Sequence, residues 1–238
     1  MLPLVLRSVI AIVLSFALVA GADCPRPKDV SAQGVAAQSD EARLAFLGKL
    51  LEDEGARARR WTFVWGAGYG MLGIVQLAIM PLFTREEQPE WYWGAAGTAF
   101  GLAFTLLGIP EVMEAGPRYA TTAAAATRDN RCALIEEGER LLVKGADTEV
   151  SSFQWYLHVG TVLFNVGLGL IVGLGYGHWQ SAVLNTLVGV AIGEANILSG
   201  PAHLISGLKH YRLGEAPPAV TFHVVPTAGP GVGVLLRF

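Results

Sequence analysis

Ser151–Gly193, SSFQWYLHVGTVLFNVGLGLIVGLGYGHWQSAVLNTLVGVAIG, contains no Asp, Glu, Lys or Arg. A bilayer core about 30 Å thick needs about 20 apolar residues per crossing helix. The stretch is long enough for two crossings, with only the residues around His178-Trp179-Gln180 to turn between them. The same plan occurs upstream. Apolar runs over Trp61–Phe83 and Trp91–Pro110 flank the loop TREEQPE, residues 84–90. Each pair of runs comes after a charged amphipathic segment, so the chain reads as one unit written twice. Lys49-Leu50-Leu51 answers Arg140-Leu141-Leu142, and Leu107-Gly108-Ile109-Pro110 answers Leu198-Ser199-Gly200-Pro201, at a spacing of about 91 residues. An even number of crossings per unit makes the two copies parallel, related by an axis along the membrane normal.

The resulting fold class is all-α and membrane-embedded. It has four transmembrane helices in two tandem hairpins, an amphipathic extramembrane helix before each, and a small C-terminal β-hairpin. Composition agrees: of 238 residues only 16% are charged and 52% are hydrophobic, and the mean hydropathy of +0.43 exceeds that of a soluble domain. A net charge of −3 offers no basic field to nucleic acid, and no zinc-finger spacing accompanies it.

Residues 1–22 read as a secretory signal: Arg7, an apolar core over Ser8–Val19, then the small residues Ala20-Gly21-Ala22. The alternative is an uncleaved membrane anchor. Residues 23–38 read as a linker, 39–115 as the first helix plus hairpin, 116–207 as the second, and 208–238 as a tail. Ser39-Asp40-Glu41 marks a helix start, Leu44, Leu47, Leu50 and Leu51 form its stripe, and Arg57, Arg59 and Arg60 close it ahead of Trp61. In the second copy the stripe is Leu134, Ile135, Gly138, Leu141 and Leu142. In the tail, Ala219–Val225 and Gly231–Phe238 flank PTAGP as a hairpin would. The ending GVGVLLRF resembles the C-terminal signal of outer-membrane β-barrel proteins over eight residues, although the apolar runs are too long for barrel strands.

Cys24 and Cys132 both precede a pair of apolar runs, so they share one side of the membrane and either pair in an oxidising compartment or stay as thiols. Among the Lys and Arg residues after the signal, Arg85 alone lies in the loops on the opposite side. A cleaved signal therefore exports nearly all the basic residues, against the positive-inside rule. The polar segments and termini are placed outside the cytoplasm on the signal's authority, with inner versus outer membrane open.

Each run carries a GxxxG: Gly66/Gly70, Gly97/Gly101, Gly169/Gly173 and Gly189/Gly193. Missing side chains at that spacing let helix backbones approach closely. Polar residues recur at sevens, hence on one helical face: Thr62, Tyr69 and Gln76; Thr98 and Thr105; His158 and Asn165; Asn196 and His203, with Asn185 near the same azimuth. In lipid such groups turn into the bundle. Glu194 is the one formal charge well inside a run, and His158 is its candidate partner because their helices run antiparallel. No catalytic set, metal site or cofactor motif is legible. The reading is a non-enzymatic multi-pass cell-envelope protein that organises partners, contacting the lipid bilayer and either a second copy or an envelope protein. The alternative is a small-solute or ion channel or transporter using the polar stripes and Glu194.

Overall fold

The computed structural model describes residues 23–108 and 110–215, and in the tail only the backbone of 221–226 and 232–237. The signal expected over 1–22 lies outside the described residues.

Helix α1, Asp40–Ile79, starts where the sequence predicts. Ser39 Oγ accepts the Ala42 N–H at 3.3 Å, and Asp40 and Glu41 occupy the first turn, where the helix dipole favours acids. No proline falls within it, so the amphipathic segment and the first apolar run form one continuous helix of 40 residues, about 60 Å long. The chain turns through Met80–Leu82, where the Thr84 N–H and hydroxyl both donate to the Glu87 carboxylate at 3.0 and 2.9 Å. Helix α2 then runs back over Gln88–Leu107 with a proline in its first turn. After Pro110 come α3, Val112–Ala124, and α4, Arg131–Ser152. Helix α5, Trp155–Tyr176, ends at Gly177, whose φ of +77° is left-handed and suits only glycine. Helix α6, Trp179–Leu198, stops before Gly200-Pro201, and α7, His203–Leu213, closes the helical body. Among the described residues, four helices are long and apolar enough to cross a membrane: α1, α2, α5 and α6. Starting residues pair at 40 and 131, 88 and 179, and 112 and 203, the interval of 91 that also separates Thr105 from its hydrogen-bond partner Asn196.

The first half of α1 packs with α3, α4 and α7 into an extramembrane platform. Its core holds Leu44, Leu47 and Leu51 from the first stripe and Ile135, Leu141 and Leu142 from the second. Helix α3 adds Val112 and Tyr119, and α7 adds Leu204 and Tyr211. Glycines allow the close approaches: a Cβ at Gly138 would meet the Tyr119 ring at 2.5 Å, and one at Gly116 would come closer still to the Leu51 carbonyl oxygen. At the centre Arg43 is fully buried. It donates to Glu139 at 2.7 Å, Asp40 at 3.2 Å, the Tyr211 hydroxyl at 3.2 Å, and the Pro25 and Cys24 carbonyls at 2.8 and 3.4 Å. That satisfies all five guanidinium N–H groups, the condition under which a buried charge persists.

Several boundaries differ from expectation. Unit ends drawn at 115 and 207 fall inside α3 and α7, two short helices that the apolar runs do not announce. Each is amphipathic, burying Val112, Gly116 and Tyr119 or Leu204, Gly207 and Tyr211 at helical spacing. Residues 23–38 are no free linker either. Cys24 is disulfide-bonded to Cys132, Val35 and Ala36 are buried, and the Ser31 N–H donates to the Arg212 carbonyl at 2.8 Å. The tail as drawn begins too early, since 208–213 is helix. The body so described is all-helical.

Candidate functional site

The two transmembrane hairpins, α1–α2 and α5–α6, are each closely packed, and between them lies a cavity of about 290 Å³. Its walls are mostly apolar but carry Gln76 from α1, Thr98 from α2, Thr161 and Asn165 from α5, and Asn185, Thr186 and Asn196 from α6. This mixture of an apolar surface with a few polar groups characterises small-molecule pockets.

Glycines explain how polar side chains reach this position. In the first hairpin a Cβ at Gly94 would meet the Gln76 amide at 2.8 Å, and one at Gly101 the Tyr69 ring at 2.5 Å. Thr98 donates to the Ala95 carbonyl at 2.9 Å, and the Gln76 side-chain oxygen lies 3.3 Å from the same hydroxyl. In the second hairpin Gly189 receives the Asn165 amide, Gly193 the Thr161 methyl, Gly169 the Thr186 hydroxyl and Gly173 the Trp179 ring. Asn165 donates to the Thr161 carbonyl at 2.8 Å, and Thr186 to the Asn165 carbonyl at 3.2 Å. Gly97 faces only the flexible end of Leu168, at 3.1 Å, across the cleft. Gly66 makes an ordinary contact with Leu102, and Gly70 faces open space, so the first GxxxG of α1 is not a close approach.

Contacts between hairpins concentrate at the platform end. Asn196, buried at 4% exposure, donates to Thr105 at 3.5 Å. The Trp61 indole donates to the Asn196 carbonyl at 3.3 Å, and the Trp65 indole to the Ser199 hydroxyl at 2.9 Å. Deeper in, Phe100 and Phe164 stack with ring centres 4.0 Å apart.

His158 and Glu194 meet as their antiparallel helices allow, Nδ1 to Oε2 at 2.6 Å, half-buried on the platform side. The second Glu194 oxygen has no partner. A second histidine–glutamate pair, His178 Nδ1 to Glu90 Oε1 at 2.7 Å, sits at the other end. His158 and His178 are 20 residues apart along α5 and its turn, about 30 Å. The sequence pattern hid the second pair because Glu90 and His178 both look like loop residues. Asn185 lines the cavity and is exposed.

His203 is not on a stripe with Asn196. Helix α6 ends at Leu198, Gly200-Pro201 breaks the period, and His203 opens α7 on the platform, where burial and then Arg57 lower its imidazole below the ordinary value. Cys24, Cys132 and the Asp40 carboxylate converge, with Asp40 accepting the Cys24 N–H at 3.2 Å, but the two sulfurs are bonded to each other. The chain matches no family model, no curated protein and no solved structure.

Proposed function

We propose that the protein admits a small solute into the cleft between its two transmembrane hairpins and passes it across the membrane. The observation that carries this is the cavity itself: amide and hydroxyl groups from all four crossing helices surround one space of about 290 Å³. A bundle built only for packing would fill that space with side chains, as interiors do. The histidine–glutamate pairs at both ends support the reading, because ionisable groups within spans mark solute and proton routes. Passage is tested with purified protein in vesicles. Asn165→Leu and Glu194→Gln should each slow solute flux at least about tenfold, roughly 1.4 kcal/mol of barrier; unchanged flux contradicts it.

The partner-organising role is the second reading, favoured by the platform, which the disulfide and the buried Arg43 cluster hold as one body. It requires that partner recovery depend on the platform surface while the cleft stays idle. Neither role calls for a catalytic step. The disulfide also supports an oxidising compartment for the platform, hence an extracytoplasmic side in the cell envelope. The matching starts at 91-residue intervals support internal duplication of a helix-plus-hairpin unit. Alternation of Val232, Val234 and Leu236 supports the tail hairpin.

A further inference from the structure

At the platform end of the cleft a second cavity of about 120 Å³ opens, lined by Trp61, Gly108, Glu149 and Leu204 and sharing Phe104, Leu157, Asn196 and Ile197 with the larger one. Glu149, near the end of α4, lines this mouth at 6% exposure. Its two oxygens accept the second and third amides of α7, Leu204 N–H and Ile205 N–H, both at 3.0 Å. Glu54 of α1 acts on it as a like charge. Glu54 is 1% exposed, and neither of its oxygens makes a well-formed hydrogen bond; only the His203 backbone N–H and the Arg57 charge favour its charged form from nearby. The Arg57 Nε stands 3.6 Å from Glu54 Oε2, beyond hydrogen-bond reach.

The charged and titratable groups around the pair are Asp53 and Arg57 from α1 and His203 from α7. Helices α2, α3 and α6 bring Phe104, Val112, Asn196 and Ile197 to the mouth, none of which titrates. Two buried carboxyls with one half-exposed arginine beside Glu54 cannot both stay charged at low cost. A fully buried carboxyl held only by a weak amide contact and a half-exposed arginine 3.6 Å away is a poor site for a full negative charge, and the ligand that neutralises it without added volume is a proton.

We propose that the two buried carboxyls, Glu149 lining the mouth of the cleft and Glu54 coupled to it, together hold one proton, forming a proton-binding site beside the route into the cleft. Burial pushes the Glu149 carboxyl up to about 7, against the pull of the Leu204 and Ile205 amides and with Glu54 adding to the rise. Burial raises Glu54 as well, opposed by Arg57. Loss of the proton places a second negative charge beside the solute route and binds the α7 amides more strongly. That the proton serves passage rests on the proposed solute route; its binding does not.

The test is an infrared pH titration of the full chain in lipid nanodiscs, with Glu149→Gln and Glu54→Gln beside it. A protonated-carboxyl band should persist to near neutral pH and lose intensity there in Glu149→Gln, where only the Glu54 carboxyl remains of the pair. In Glu54→Gln its midpoint should fall by about one pH unit or more, because a repelling neighbour is gone. If Glu149→Gln fails to fold, the Glu54→Gln midpoint decides alone. No band above about pH 6, or a band untouched by both substitutions, overturns the site. An intact titration with no solute flux overturns the passage reading only; flux without the titration overturns the proton site only.

Discussion

Arg43 looks in the sequence like any basic residue on a helix surface. Its partners Glu139 and Tyr211 lie 96 and 168 residues away, so nothing local reveals its burial. Truncating it leaves Glu139 with the Tyr211 hydroxyl alone and the Cys24 and Pro25 carbonyls unmet. Arg43→Leu should therefore lower stability by about 3–5 kcal/mol, read by thermal unfolding, with Arg43→Lys only partly restoring it. Glu149 makes a pH prediction. Its folded value, about 7, exceeds the ordinary 4.5, so its contribution is fully present below about pH 4.5 and is lost as pH rises through about 7. The loss approaches the order of 3 kcal/mol at alkaline pH. Melting temperature should fall across that window, and Glu149→Gln should flatten the fall; a wild-type curve rising with pH through this range contradicts the assignment.

The apolar runs made the four crossing helices legible, because bilayer thickness imposes a length that few soluble segments reach. The first helix and its cap were legible too, from Ser39 and the acidic first turn. Each feature that was not legible has a physical reason. Helices α3 and α7 are short and carry only three buried positions each, too few to stand out as a period. His203 was displaced because a spacing of seven assumes an unbroken helix, and Gly200-Pro201 breaks it. The glycines were legible as close approaches, but not which ones. Hence a contrast: Gly189→Ile collides with Asn165 and should cost about 1–3 kcal/mol by overpacking and disturb the second hairpin, whereas Gly70→Ile, facing open space, should be near neutral. Unfolding in detergent, followed by circular dichroism, separates the two. Equal losses would mean that the second hairpin packs differently.

At the scale of the molecule, two hairpins stand on one platform, clamped at Cys24–Cys132 across a separation of 108 residues. Closing so long a loop restricts the unfolded chain, so Cys132→Ser should cost about 4 kcal/mol and lower the melting temperature, as should reduction of the wild type. A melting temperature indifferent to reductant would show that the platform's packing alone suffices. Clamping one end while the hairpins touch less along their length leaves the cleft, through which we propose that solute passes. The most direct measurement of that passage is swelling of vesicles containing the purified protein, challenged with neutral solutes of graded size. Swelling should occur with small solutes, disappear in Gly97→Phe, whose ring would project toward Leu168 and fill the cleft, and persist in Gly70→Phe. Absence of swelling in the wild type, or equal swelling in Gly97→Phe, would contradict it.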